Sequence, residues 1–240
     1  MNPLPLFLII ASLPLLLGGC GGEKKESVGE VKSEELLAET KPVEEVHLNP
    51  NLKYEIKDDE VTITGCDKKA SGELTIPATI EGNPVTSIGI QAFDGCTNLT
   101  SITIPDGVSS IGAGAFSGCT SLTSITIPDG VTSIGGRAFW QCTNLTSITI
   151  PDGVNSIGDF AFRGCSNLTS ITIPDGVTSI ETRAFYNCEG LTAVTFLGNA
   201  PKAGGKVFEG ATPTIYRKPE AKGWGQTWGG RPVKLISENP

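Results

Sequence analysis

Histidine is almost missing: among 240 residues there is one, His47. A catalytic site needs a base beside a nucleophile or a metal, and a single histidine in a charged, aromatic-free stretch supplies neither. No phosphate-binding glycine loop and no hydrolase signature is present. Aromatic residues make up only 6% of the chain, and the net charge is -8. Lysine and arginine are scarce between Val85 and Phe196, whereas Lys202 to Lys234 is a basic end. That is not the basic stripe a nucleic-acid binder displays. Long apolar runs are also lacking. The only one, Leu4 to Leu17, is broken by Pro5 and Pro14 and is too short to cross a bilayer as a helix. These absences lead to an expectation of a non-enzymatic protein with no cofactor, no metal and no nucleic-acid partner.

What is abundant is repetition. From Val85 to Phe196 a 23-residue unit recurs, placing isoleucine at Ile88, Ile111, Ile134, Ile157 and Ile180 and phenylalanine at Phe93, Phe116, Phe139, Phe162 and Phe185. A unit this short cannot bury its own apolar face, so each copy must stack on the next. Within a copy, Ser101-Ile-Thr-Ile104 alternates polar and apolar, the mark of a half-buried strand. Pro105-Asp-Gly107 reads as a turn. Val108-Ser-Ser-Ile111 forms a second short extended run, and Gly112 to Cys119 an irregular bend that carries Ala115, Phe116 and Cys119 inward. The predicted fold is a β-rich solenoid with its strands in parallel ladders.

The flanks differ in composition. Residues 1–19 read as an export signal ending in Leu17-Gly18-Gly19-Cys20, which looks like a bacterial lipobox with Cys20 as the acylated residue. The run departs from such signals in one respect, having no Lys or Arg before its apolar stretch. Gly21 follows the cysteine where aspartate would favour inner-membrane retention, so an outer-membrane or cell-surface address is expected. Residues 20–52 are rich in Glu, Lys, Ser and Val and bury too little to repay ordering, which predicts a flexible tether. Residues 53–84 are expected to cap the first rung, residues 85–197 to form the solenoid, and residues 198–240 to supply a degenerate copy and a C-terminal cap. In that cap Trp224 and Trp228 are expected to cover the last rung.

The recurring Ile-Pro-x-x-Val-x-x-Ile-Gly-x-x-Ala-Phe-x-x-Cys-x-x-Leu units resemble the BspA-like branch of leucine-rich repeats, found also in Treponema pallidum leucine-rich-repeat proteins. The resemblance runs from about Lys53 to Ile236. The asparagine ladder of other leucine-rich repeats is missing, with Gly107 and Gly130 in its place. The resemblance implies non-catalytic binding: adhesion to a protein, cell-surface or matrix ligand. The motif at Cys20 adds a membrane anchor, and the oligomeric state is left open by the sequence, with a monomer expected. A structural spacer or envelope component without a specific ligand is the competing reading.

Three further columns run along the repeats, and one pair of positions breaks the pattern. Cys96, Cys119, Cys142, Cys165 and Cys188 fall in one line; equivalent side chains on stacked rungs point in parallel, which predicts free, buried thiols rather than disulfides or a tetrahedral metal site. Asp106, Asp129, Asp152 and Asp175 each sit in a Pro-Asp-Gly turn, with calcium as a minor alternative to local capping. Thr103, Thr126, Thr149, Thr172 and Thr195 form an outward array that suits an exposed strand face, with ice binding as a minor rival. The exception is the pair of positions flanking Ala-Phe, which vary while the rest of the unit does not. There Arg137, Phe160 and Arg183 stand before Ala, and Trp140, Arg163 and Tyr186 after Phe. Trp, Tyr and Arg are the residue types enriched in binding hot spots, so these six are the candidate ligand-binding residues.

Overall fold

A computed structural model of the chain describes residues 49–238. The predicted acylation site Cys20 and nearly all of the 20–52 segment lie outside the described residues. From Asn49 onward the chain is a β-solenoid.

Each rung gives one short strand to each of two parallel ladders. In the first, Asn98–Thr103, Ser124–Thr126 and Ser147–Thr149 pair so that Ser101, Ile102 and Thr103 lie opposite Ser124, Ile125 and Thr126, and these opposite Ser147, Ile148 and Thr149. Ser170–Ile173 and Ala193–Phe196 continue the pattern in a further sheet. In the second, two-residue strands align Ser133-Ile134, Ser156-Ile157 and Ser179-Ile180, then Lys202-Ala203. Every residue thus faces its own equivalent one copy away. Alternation does the rest: Ile125 and Ile127 are buried while Ser124 and Thr126 are exposed. Pro-Asp-Gly joins the two ladders through a turn closed by Val108 N–H donating to Pro105 O at 3.1 Å, a bond repeated at Val131, Val154 and Val177. The glycine after Ile88, Ile111, Ile134 and Ile157 permits close approach, since a Cβ on Gly112 would stand 2.7 Å from the carbonyl carbon of Gly89.

The core is a stack of columns. Phe93, Phe116, Phe139, Phe162, Phe185 and Phe208 are almost fully buried, and their rings stack at 5.2–5.6 Å between centroids. Phe208 thereby belongs to a further, degenerate copy. The cysteine column is buried and free of disulfides. Its geometry explains why: the Cys119 thiol donates to Phe93 O at 3.2 Å, and Cys142, Cys165 and Cys188 repeat that bond to Phe116, Phe139 and Phe162. Each sulfur is aimed at the preceding rung's backbone, not at the preceding sulfur. Burial pushes the Cys142 and Cys188 thiols up to about 12, and that of Cys165 well above its usual range.

Both ends are covered, as stacked rungs require. At the start, Leu52–Lys57 and Glu60–Cys66 form an antiparallel hairpin through Asp58 and Asp59, whose φ angles of 53° and 61° suit a two-residue turn. Glu60–Cys66 then pairs in parallel with Asn83–Ile88. At the far end Arg231–Leu235 pairs with Thr214–Arg217. The Trp228 ring packs edge-on at 4.9 Å from Phe196 and 5.9 Å from Phe208, and its Nε1 donates to Pro201 O at 2.9 Å. Trp224 lies 4.9 Å from Phe196. Trp228 thus closes the phenylalanine column, and Trp224 covers Phe196 beside it.

Candidate functional site

The variable positions sit on one corner of the coil with a fixed backbone. The residue before Ala, or before Val207 in the degenerate copy, is left-handed throughout, with φ of 55° at Gln91, 65° at Gly114, 58° at Arg137, 57° at Phe160, 55° at Arg183 and 59° at Lys206. Its carbonyl accepts from the N–H three residues on: Trp140 N–H donates to Arg137 O at 3.0 Å, Arg163 to Phe160 and Tyr186 to Arg183, each at 3.1 Å. The two variable columns are therefore the first and last residues of the same tight turn and lie side by side. Bonds between rungs hold the turns in register, as where Arg137 N–H donates to Asp159 O at 2.8 Å and Phe160 N–H to Thr182 O at 3.0 Å.

A left-handed φ is free of cost only for glycine. For arginine or phenylalanine it is unfavourable by about 1–2 kcal/mol. Gly114 uses the permissive residue; Arg137, Phe160 and Arg183 do not. Sequence reasoning finds these six residues by their variation but misses this backbone strain. The signal is present, since glycine occupies one of the otherwise bulky positions.

The side chains form a checkerboard. One column runs Arg137, Phe160, Arg183, and its neighbour runs Trp140, Arg163, Tyr186. The Arg163 guanidinium lies 5.5 Å from the Trp140 ring centre and 5.3 Å from that of Tyr186. Around the Phe160 ring stand three guanidinium groups, those of Arg137 at 5.6 Å, Arg183 at 5.8 Å and Arg163 at 6.0 Å. Each cation rests on an aromatic face, a favourable contact of about 0.5–1 kcal/mol where exposed. All six candidate residues are thus brought into one contiguous patch.

Charge on the patch is incompletely balanced. Arg183 Nε is 3.7 Å from Glu209 Oε2. Among the described residues, Arg137 and Arg163 have no carboxylate within ion-pairing distance. Asp159 is exposed beside Phe160 without pairing to either. Trp140 is half-buried, not free on the rim, and its indole Nε1 is buried with no hydrogen-bond partner.

The threonine array lies elsewhere, on the outward face of the first ladder, with Thr103, Thr126, Thr149 and Thr172 exposed. Asp106, Asp129, Asp152 and Asp175 are exposed at the turns between ladders. Sequence reasoning misses what lies between those turns. Hollows of about 360 and 470 Å³ separate Asp106 from Asp129 and Asp129 from Asp152, floored by isoleucine and proline and walled by threonine. A third, of about 370 Å³, follows between Asp152 and Pro174. The first two hollows are lined by equivalent residues one rung apart, whereas the third extends over the ladder face along Ser147, Ile148, Ser170 and Ile171.

Residues 86–214, more than half of the chain, match the model of the BspA type leucine rich repeat region in six copies. No curated protein sequence matches the chain. Among solved structures, the T. pallidum leucine-rich repeat protein superposes with a TM-score of 0.62 at 29% identity, covering 71% of this chain and 86% of that one. A leucine-rich cell surface protein from Faecalibacterium prausnitzii gives 0.52 at 32% identity over 70% of this chain, which spans about half, 54%, of that longer protein. A leucine-rich repeat protein from Eubacterium ventriosum shares the fold, with a TM-score of 0.52 at 24% identity over 74% of this chain and 54% of that one.

Proposed function

This chain belongs to the BspA-type leucine-rich repeat family, and from that premise we propose that it is a lipid-anchored bacterial surface protein whose solenoid binds another macromolecule without chemistry. The partner is a protein, or a cell-surface or matrix ligand, met by Arg137, Trp140, Phe160, Arg163, Arg183 and Tyr186. One observation carries the reading: three guanidinium groups cluster within 6.0 Å of the Phe160 ring centre, and two of them lack an acidic partner. Like charges held together at a cost to the backbone are compensated when an anionic, partly apolar surface closes over them. The Faecalibacterium protein's description as a cell surface protein supports an exported address. Leu17-Gly-Gly-Cys20 supports acylation at Cys20 and retention at the outer membrane or cell surface.

Two experiments test the two halves. Cys20→Ser should abolish palmitate incorporation and release the protein from membranes; unchanged labelling would refute the anchor. For the patch, cells displaying the full chain should adhere to immobilised matrix protein, and the double change Trp140→Ala and Arg163→Ala should weaken adherence more than about tenfold. Thr126→Val with Thr149→Val is the control. Loss of adherence in the threonine variant with retention in the Trp140/Arg163 variant would mean that the wrong face was chosen.

A further inference from the structure

The same corner has a geometric counterpart on the opposite stretch of each rung. The patch repeats once per rung because it is built on the solenoid, and so do the exposed Asp129 and Asp152 with the hollows beside them. Arginine occurs once per rung on three consecutive rungs, at Arg137, Arg163 and Arg183. Two equivalent hollows follow one another beside Asp129 and Asp152, and a third opens from Asp152 over the ladder face. The two series have the same spacing whatever its value, since both are set by the backbone ladders of one fold. They also have opposite charge. Trp140 and Asp152 are 12 residues apart within a 23-residue coil, so the two features occupy well-separated parts of the rung and leave each other free.

We infer that the arginine–aromatic patch docks on the aspartate-and-hollow face of a second copy of this chain, with solenoids lying side by side and rung matched to rung. This rests on reading the patch as a contact surface and names its partner. Arg137 and Arg163, unpaired within their own chain, meet carboxylates at a commensurate repeat, while the rings rest on the proline and isoleucine that floor the hollows. The contact is heterologous, because one face of each copy meets a different face of the next; such a contact continues from copy to copy unless the rotation closes a ring. Anchoring at a membrane favours it, since the shared surface raises the effective concentration of each copy around the next. Monomers in dilute solution and lateral association at the envelope are then both expected.

The test is a photo-crosslinker at exposed Gln141, next to Trp140, in the full chain on cells that carry light and heavy isotopic copies. The expected adduct joins Gln141 of one copy to the peptide containing Asp129 or Asp152 of another. Charge reversal sharpens it. Asp129→Lys with Asp152→Lys should abolish the adduct, and so should Arg137→Asp with Arg163→Asp. Mixing the two variants should restore it, through the intact patch of the first and the intact aspartates of the second. Adducts to a different envelope or matrix protein with no self-adduct would overturn self-docking while leaving the proposed binding role in place. So would adherence that depends on Trp140 and Arg163 but yields no self-adduct. An adduct between two patches, or a mixture that stays unlinked, would overturn the heterologous contact.

Discussion

Two halves of each rung have been held to different standards. Ser124 to Ile134 and Ser170 to Ile180 are identical over eleven residues, and Ser147 to Ile157 differs from both only at Asn155. The corner that follows reads Gly-Gly-Arg-Ala-Phe-Trp-Gln, then Gly-Asp-Phe-Ala-Phe-Arg-Gly, then Glu-Thr-Arg-Ala-Phe-Tyr-Asn. The backbone shows no such contrast. At the corner φ before Ala stays between 55° and 65° in these rungs and the one preceding, and the same hydrogen bonds recur. The side chains diverge where the main chain does not. In the invariant half each residue packs on its own equivalent, so a change must be tolerated by two neighbours at once. At the corner only Ala and Phe are buried in every copy; the flanking residues stack on one another across rungs at the surface, where they can vary together and meet something outside the chain.

The largest effect should come from breaking the invariant part. Phe139 lies within the ring stack, fully buried, with Phe116 at 5.4 Å and Phe162 at 5.3 Å. Phe139→Ala should cost about 3–5 kcal/mol, read as a lower urea midpoint. A variant that melts like the parent would place the core elsewhere.

A smaller and graded effect should follow pH. Cys142, Cys165 and Cys188 stay protonated in the folded chain because burial disfavours the thiolate, with Cys142 and Cys188 raised to about 12 from an ordinary 9.0. A raised folded value gives stability that is fully present below the unfolded pKa and is lost as pH rises toward the folded one. The melting temperature should therefore be level up to about pH 8 and fall between pH 9 and 12. In Cys142→Ala the fall should be shallower. A melt independent of pH across that window would mean that the thiols are not shielded as their bonds to the phenylalanine carbonyls require.

Much of this contrast is legible in the amino-acid sequence. Ile-x-Ile alternation, Pro-Asp-Gly and a fixed 23-residue period specify strands, turn and stacking together, because each is a local rule that every copy repeats. The parallel thiols follow from repetition alone. The six corner residues are legible as exceptions to that repetition. What escapes is the left-handed backbone beneath them, which Gly114 hints at but arginine and phenylalanine disguise. The hollows beside the aspartates escape too, since they are spaces between copies and no single residue marks them. Trp140 shows the remaining difficulty. Its position on the corner is readable, but half-burial of its ring depends on how Arg163 of the next rung folds over it.

The central claim is that the corner side chains are kept for contact and against the preference of the backbone. Arg137 tests it most directly, being exposed, left-handed at φ 58° and one rung from a glycine in the same conformation. In Arg137→Gly the melting temperature should equal or exceed the parent's, because up to about 1–2 kcal/mol of strain is relieved. Adherence to immobilised matrix protein, measured on the same variant, should fall several-fold. A variant that melts several degrees lower and adheres as before would contradict the account, for then Arg137 would be part of the scaffold and not of the binding surface.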